Sequence, residues 1–504
     1  MYKIQIDEAF AHDWVRMFAH LANLFFEECT VIQEDDSEAL RVIFTIDKLE
    51  AGDIVGKATL YAEGNTYKSS FTEPIVVGDD KVVRRQLKRV HSHIFLEVFE
   101  QFTGMTQSWG ILTGIRPMKL YHKYRQEGQT EAQAIESLMT NYRISREKSE
   151  LLATIASVQL KAVPDLYDLR EEVSIYIGIP FCPTKCAYCT FPAFAIRRAN
   201  GRVDSFLDAL HVEIREMGAW LKARNMKITT IYFGGGTPTS IEADEMDALY
   251  KTMYESFPNM ADVREVTVEA GRPDTITPEK IDVLNKWGID RISVNPQSYT
   301  DETLKAIGRH HTVQETIDKF WLSRNMGMKN INMDLIIGLP NEGEEEFEHS
   351  LAETEKMQPE SLTIHTLSFK RASKMSQNRE RYKVADRHTV ENMMKRGEQW
   401  TKAHGYIPYY LYRQKNILGN LENVGYAKPE EESIYNIVIM EEVQTIIGIG
   451  CGASSKFIDP KTGKITQFSN PKDPAAYVLA YDESIEKKLD HLNRIFPQKT
   501  QTKS

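Results

Sequence analysis

A regular alternation of strand and helix patterns between about residues 172 and 385 constrains the fold of this chain more than any other feature. Six short apolar segments have the length of strands, and amphipathic helical patterns separate them. The six segments read VSIYIGI, ITTIYF, EVTVEA, RISVN, INMDLIIG and SLTIHTLSF. Alternation of this kind is typical of parallel strands joined by crossover helices that cover both faces of the sheet. The sequence therefore predicts an α/β barrel or partial barrel, whose working groups lie at the C-terminal ends of the strands.

The segments on either side of this alternation have a mixed α+β pattern. Because 504 residues are too many for one hydrophobic core, we expect three domains, at 1–165, 166–385 and 386–504. In the first, an N-terminal α+β extension, Gly64-Asn65 predicts a two-residue hairpin turn, and helical spacing predicts a helix from about Asp80. The last is expected to be a small C-terminal α+β region that covers the barrel.

The composition argues against several classes of protein. A net charge of −10 at pH 7 argues against a nucleic-acid binder, whose surface is normally basic. The first residues, MYKIQIDEAFAHDW, carry charges where a secretion signal has an apolar core. No apolar run in the sequence approaches the length of a membrane span. We therefore expect a cytoplasmic protein that binds neither nucleic acid nor membrane.

Three of the five cysteines lie within eight residues, directly after the first predicted strand. Cys182, Cys186 and Cys189 have the spacing C-x3-C-x2-C, which lets a short loop hold a 4Fe-4S cluster by three of its irons and leave the fourth open. A structural zinc site needs a fourth ligand. The alternatives are a zinc ion completed by a remote histidine, or cysteines that only pack. Cys29 and Cys451 stand alone and are expected to be small buried side chains.

The cysteine loop IPFCPTKCAYC and the glycine run GGGTPT after the second strand resemble the radical S-adenosylmethionine (SAM) superfamily, in particular its coproporphyrinogen III oxidase family. The N-terminal extension with LTGIRPMKLY resembles the HemZ branch of that family. The resemblance implies a radical SAM partial barrel, a 4Fe-4S cluster and SAM. In this superfamily, an electron from the reduced cluster splits SAM and releases a 5′-deoxyadenosyl radical.

The resemblance also assigns cofactor-binding residues, most of them at successive strand ends. Each of these residues alone has an ordinary structural explanation, such as packing, helix capping or a core ion pair. Their common order along the chain favours a SAM site. The assigned residues are Tyr176, Tyr188, Gly235, Gly236, Thr237, Glu269, Gln297, Arg309, Asp334 and Ser368.

The family's best-known reaction is the oxidative decarboxylation of two propionates of coproporphyrinogen III to the vinyl groups of protoporphyrinogen IX in haem biosynthesis. The resemblance thus implies a tetrapyrrole substrate and a low-potential electron donor such as flavodoxin or ferredoxin. Four substrate carboxylates need cations. We hypothesise that Arg197 and Arg198, with Arg202 nearby, bind substrate carboxylate; the alternative is a solvated loop.

Two departures from the family pattern bear on the reaction. Phe191 stands where the decarboxylating branch has a fourth cysteine, an absence shared with haem-carrying relatives. Those relatives have an HNxxYW-like element, whereas this chain reads ENVGYAK, with Glu422 in place of the histidine and Ala427 in place of the tryptophan. Because glutamate is a poor substitute for imidazole as a haem ligand, we rank the oxidase above a haem chaperone. A different radical reaction on an unrelated substrate is the third alternative.

Overall fold

A computed structural model describes residues 2–6, 12–26, 28–49, 52–114, 116–196, 202–368, 373–378, 382–414 and 417–497. The chain forms two compact units, residues 1–156 and 157–504. The division into three domains stays a prediction. In the structure, strands that follow residue 385 belong to the same sheet as strands that precede it. No helix within the described ranges has the length and apolar character needed to cross a membrane.

The first unit contains a five-stranded sheet with the order β2-β1-β3-β4-β5. Its strands are β1 Tyr2–Ile6, β2 Cys29–Ile32, β3 Leu40–Lys48, β4 Asp53–Ala62 and β5 Asn65–Pro74. Its helices are α1 His12–Ala22, α2 Asp80–Thr103, α3 Met118–Gln126, α4 Glu131–Tyr142 and the first part of α5 Arg146–Ala162. Phenylalanines from α1, β3 and α2 pack together in the core, among them Phe18, Phe44 and Phe95.

Two local predictions in this unit have different outcomes. The helix predicted from Asp80 is confirmed as α2, and the Asp79 carboxylate caps it by accepting hydrogen bonds from two backbone N–H groups. The hairpin between β4 and β5 is also present, but its turn residues are Glu63 and Gly64, so the predicted pair Gly64-Asn65 was wrong by one position. The φ angles of Glu63 and Gly64 are 52° and 78°, as a tight hairpin turn requires.

The second unit is built on an eleven-stranded sheet with the order β14-β15-β13-β12-β11-β10-β9-β6-β16-β17-β18. The strands are β6 Val173–Ile179, β7 Phe181–Cys182, β8 Phe194–Ala195, β9 Ile228–Gly235, β10 Glu265–Val268, β11 Arg291–Ser293, β12 Asn330–Ile337, β13 Ser361–Thr366, β14 Ile407–Tyr412, β15 Asn423–Ala427, β16 Thr445–Gly450, β17 Ser454–Ile458 and β18 Ile465–Ser469. The helices are α6 Arg202–Ala223, α7 Ala243–Ser256, α8 Pro278–Lys286, α9 Asp301–Ala306, α10 Val313–Asn325, α11 Glu344–Met357, α12 Lys374–Gln377, α13 Arg387–Ala403, α14 Ile434–Glu441 and α15 Pro474–Ile495.

The six predicted strands are confirmed as β6, β9, β10, β11, β12 and β13, which are parallel neighbours in chain order. Strand β16 extends the parallel set next to β6, and antiparallel strands complete both edges. Because parallel strands end at the same edge, the loops after β6 and β9 to β13 meet there. This arrangement is the predicted α/β fold, and it places the cysteine loop beside the other strand ends.

A buried ion pair holds the C-terminal helix against this sheet. Lys488 of α15 and Glu213 of α6 are both fully buried and in direct contact. The Glu213 carboxylate also accepts hydrogen bonds from the Tyr477 hydroxyl at 2.5 Å and from the backbone N–H of Gly450 at 2.7 Å. These hydrogen bonds satisfy the buried charge, which would otherwise destabilise the fold.

Candidate active site

The ends of the parallel strands enclose one cavity, and twelve of the predicted site residues line it. They are Cys182, Cys186, Cys189, Tyr188, Gly235, Gly236, Thr237, Glu269, Gln297, Arg309, Asp334 and Ser368. Tyr176 lines a neighbouring cavity, which shares Phe191 and Gly235 with the first. Arg197 and Arg198 lie outside the described residues, and Arg202 is an exposed residue at the start of α6.

The cysteine loop follows β6 and is fixed by hydrogen bonds to the segment directly after α9. The Ala187 N–H donates to the Ile307 carbonyl at 2.8 Å, and the Thr184 hydroxyl donates to the Gly308 carbonyl at 2.9 Å. Burial and, to a smaller extent, the charges of Cys186 and Cys189 raise the pKa of the Cys182 thiol to about 11. The three thiols are therefore neighbours, and all of them line the wall of the cavity.

The glycines at the end of β9 let that strand run directly against the cysteine loop. The Gly236 N–H donates to the Ile179 carbonyl at 2.8 Å, and the Thr237 N–H donates to the Phe181 carbonyl at 2.7 Å. A Cβ atom on Gly236 would lie 2.5 Å from the Phe181 carbonyl oxygen, and Gly235 has a φ of 106°. Larger residues therefore do not fit here. The Thr237 hydroxyl lies 3.3 Å from the Cys182 sulfur, which joins the two motifs.

Two carboxylates face the cavity, Glu269 directly after β10 and Asp334 on β12, with β11 between these strands. Burial and, to a smaller extent, the charge of Asp334 raise the pKa of Glu269 to about 7. Burial also opposes ionisation of Asp334, yet hydrogen bonds from His365 and Asn332 hold the pKa of Asp334 below its ordinary value. The Asn332 amide donates to Asp334 at 2.8 Å. Two buried carboxylates in one cavity favour a cationic ligand, because a bound cation offsets their repulsion and loss of hydration.

Three buried polar atoms in this region have no hydrogen-bond partner among the described residues. They are Oε1 of Gln297, Nε of Arg309 and Oδ1 of Asn295. Gln297 has a φ of 67°, a conformation that is strained for a residue other than glycine and is held by backbone hydrogen bonds to β12. Buried polar groups normally find partners, so these atoms indicate a polar ligand in the cavity.

The donor set fits the cofactors that the sequence implies. Three neighbouring thiols suit an iron–sulfur cluster with one open iron. The two carboxylates suit a cation such as the ammonium and sulfonium groups of SAM, and the unpartnered atoms of Gln297 and Arg309 suit its polar groups.

Residues 176–353 match the family model of the Radical SAM superfamily. The oxygen-independent coproporphyrinogen-III oxidase-like protein HemZ of Bacillus subtilis is 57% identical to this chain over 491 residues, which cover 96% of the chain and 97% of HemZ. The chain belongs to this family of radical SAM enzymes. Its cofactors are accordingly those of the superfamily, a 4Fe-4S cluster and SAM.

More distant relatives share parts of the chain. The heme chaperone HemW of Escherichia coli is 29% identical over 61% of this chain and 75% of its own length. The solved structure of the coproporphyrinogen III oxidase HemN from Escherichia coli is 22% identical, has a TM-score of 0.52, and covers 65% of this chain and 72% of that chain. The likeness to HemN supports the fold alone, and it agrees with the predicted radical SAM architecture.

Sequence reasoning did not identify several side chains of the site. The Arg272 guanidinium is buried and donates to the Thr184 hydroxyl at 3.0 Å and to Asp274 at 2.9 Å, so it supports the cysteine loop. Tyr232 donates a hydrogen bond to Glu269, and His365 lies beside Asp334. The sequence signal that could have identified Arg272, Tyr232 and His365 is a polar residue within or shortly after an apolar strand.

Proposed function

We propose that the protein catalyses oxygen-independent oxidative decarboxylation of coproporphyrinogen III propionates, giving protoporphyrinogen IX. The observation that carries the proposal is the cavity that brings the three cysteines together with Glu269 and Asp334. The 57% identity to a protein named as coproporphyrinogen-III oxidase-like supports the choice of substrate.

Each propionate would lose one hydrogen atom, carbon dioxide and one electron, which leaves a vinyl group. When bound, the reduced cluster and SAM supply the one-electron chemistry that removes the hydrogen atom. A low-potential donor such as flavodoxin or ferredoxin delivers the reducing electron, and an external acceptor takes the electron that the substrate loses.

The chain's own residues would bind and orient the reactants. Cys182, Cys186 and Cys189 would hold the cluster, and the buried carboxylates of Glu269 and Asp334 would attract the cationic cofactor. The described wall of the cavity also includes apolar residues such as Ala193, Ile336 and Leu367, which suit the rings of a tetrapyrrole. The exposed ring of Phe191, at the position of the fourth cysteine, lies on the same wall.

The substrate carboxylates remain assigned to Arg197 and Arg198 as part of this proposal. A variant with both arginines changed to glutamate is expected to bind coproporphyrinogen III more weakly, because like charges repel. Unchanged substrate affinity and turnover in this variant would remove the arginines from the substrate site.

The environment of Glu422 argues against a haem chaperone. Glu422 is fully buried, and its backbone carbonyl accepts a hydrogen bond from the Thr366 hydroxyl at 2.9 Å. Burial lowers the pKa of Arg413 to about 10, and attraction by Glu422 opposes that shift, so the carboxylate faces a buried cation. Glu422, which stands in the position of the chaperone histidine, therefore lies in the interior of the protein and faces Arg413.

An anaerobic assay separates the alternatives. Reconstituted protein, SAM, a reductant, an electron acceptor and coproporphyrinogen III are expected to yield protoporphyrinogen IX, carbon dioxide, methionine and 5′-deoxyadenosine. A chaperone would instead develop a Soret band with haem and form no vinyl product, and a methyltransferase would release S-adenosylhomocysteine. Absence of vinyl product under conditions in which SAM is cleaved would refute the proposed reaction.

A further inference from the structure

Tyr232 lies on β9, two residues before the first glycine of the site, and its hydroxyl donates a hydrogen bond of 2.5 Å to Oε1 of Glu269. The Glu269 carboxylate accepts a second hydrogen bond from the backbone N–H of Gly235. The side chains of Tyr232 and Glu269 are both half-buried. The orientation of the Glu269 carboxylate is therefore fixed by one side chain and one backbone group.

The ring of Tyr232 packs against two other tyrosines, which also lie close to each other. Its centroid lies 4.3 Å from that of Tyr435 on α14 and 6.1 Å from that of Tyr176 on β6, and all three rings are nearly parallel. Gly234 makes room for this stack, because a Cβ atom there would lie 3.0 Å from the Tyr232 ring and 3.1 Å from Oε2 of Glu269. The stack leaves the Tyr232 hydroxyl little freedom to move away from Glu269.

The other two tyrosines do not donate a hydrogen bond to Glu269 within the described residues. The Tyr435 hydroxyl is buried and has no hydrogen-bond partner among the described residues. Burial and the charge of Glu269 raise the pKa of Tyr176, so Tyr176 stays neutral. Asp334 is the other charged group that faces Glu269, and it disfavours ionisation of Glu269. Within the described stack, the Tyr232 hydroxyl is the side-chain donor that opposes this effect.

We propose that Tyr232 is a positioning residue that keeps Glu269 oriented and anionic for a cationic group of SAM. The proposal depends on the assignment of Glu269 to SAM but not on the reaction with the tetrapyrrole. Burial raises the pKa of Glu269 and the hydrogen bond from Tyr232 opposes that shift, which leaves the pKa at about 7. Loss of the hydroxyl would therefore leave less of the carboxylate charged at neutral pH.

The test compares Tyr232→Phe with the matched control Tyr435→Phe, which removes an unpartnered hydroxyl from the same stack. The affinity for SAM is measured on anaerobically reconstituted protein whose iron and sulfide contents equal those of the wild type. Tyr232→Phe is expected to weaken SAM binding about tenfold to a hundredfold, as for loss of a hydrogen bond to a charged group. Tyr435→Phe is expected to bind SAM like the wild type.

The pH dependence of SAM binding adds a readout that a change in packing would not move. Below the pKa of Glu269 the carboxyl group is neutral, so SAM binding weakens as the pH falls. In Tyr232→Phe, the midpoint of this loss is expected at a higher pH than in the wild type. An unchanged midpoint would overturn the proposal.

A double variant identifies the group through which Tyr232 acts. In a Glu269→Gln background, Tyr232→Phe is expected to weaken SAM binding no further. Equal losses with and without Glu269, or an equal loss in Tyr435→Phe, would show that the tyrosine acts through packing and would overturn the proposal. If the wild type binds SAM but makes no protoporphyrinogen IX, the proposed reaction fails while this inference stands.

Discussion

Gly236→Ala is expected to impair cluster binding without changing any residue that touches the cluster. The new Cβ atom would lie 2.5 Å from the Phe181 carbonyl oxygen and 2.9 Å from the Phe181 carbonyl carbon and backbone nitrogen. An ordinary contact begins at 3.4 Å, so the backbone at Phe181 must move by about 0.9 Å. Because Cys182 follows directly, its sulfur would move with that backbone.

The size of the effect follows from the cost of such a shift. Forcing an extra methyl group into a packed region costs about 1–3 kcal/mol. If this free-energy cost destabilises only the protein with the cluster bound, the affinity for the cluster decreases about 5- to 150-fold. Displacement of a metal ligand by more than about 0.2 Å is enough to disturb its geometry, which agrees with a loss of this order.

The assay is iron and acid-labile sulfide per chain after anaerobic reconstitution, with a thermal melt of the same sample. Gly343→Ala is the matched control, because its Cβ atom would meet only Oε2 of Glu346, at 3.7 Å. The control is expected to bind the cluster like the wild type. Full cluster content and an unchanged melting temperature in Gly236→Ala would refute the steric reasoning.

Three further predictions concern the substrate wall, the buried ion pair and a buried carboxyl group. Phe191→Ala is expected to raise the KM for the tetrapyrrole about three- to tenfold, because an exposed ring is lost from the cavity wall. Lys488→Met leaves Glu213 buried without its cation and is expected to lower the free energy of unfolding by about 3–5 kcal/mol in urea titrations. Burial raises the pKa of Glu342 from 4.5 to about 7, so its folded state binds a proton more tightly than its unfolded state. Stability should therefore fall as the pH rises from 4.5 to 7, by up to about 3 kcal/mol, and Glu342→Gln should remove this component in urea unfolding at several pH values.

Each of these predictions has a specific control or contradicting result. An unchanged KM in Phe191→Ala would place the tetrapyrrole elsewhere. Arg396→Ala, which breaks a half-exposed pair with Glu348, is expected to cost less than about 1 kcal/mol. A loss in Lys488→Met no larger than in Arg396→Ala would contradict the account of the buried pair. The same pH dependence in Glu342→Gln and the wild type would assign that dependence to other groups.

The parallel strands and the site loops were predictable because the signals are local. Apolar runs of strand length, the C-x3-C-x2-C spacing and the glycines at 234–236 are all contained in short segments. Helix α2 was predictable for the same reason, since its cap Asp79 and its apolar face lie within a few turns of each other.

The remaining features depend on contacts between distant segments. Strands β14 to β18 join both edges of the sheet through two pairs that are distant in the sequence, β15 with β13 and β16 with β6. The contact between Tyr232 and Glu269 spans 37 residues and becomes apparent only once β9 and β10 are neighbours. The hairpin prediction was wrong by one residue because Glu63, and not Asn65, joins Gly64 in having a positive φ.

The most direct test of the account is the metal content and spectrum of protein purified and reconstituted without oxygen. The account predicts four irons and four sulfides per chain, and a reduced cluster whose electron paramagnetic resonance signal changes when SAM is added. Changing Cys182, Cys186 or Cys189 singly to alanine should abolish both the intact cluster and the response to SAM. A bound zinc ion in the wild type, or an intact SAM-responsive cluster in any of the three variants, would contradict it.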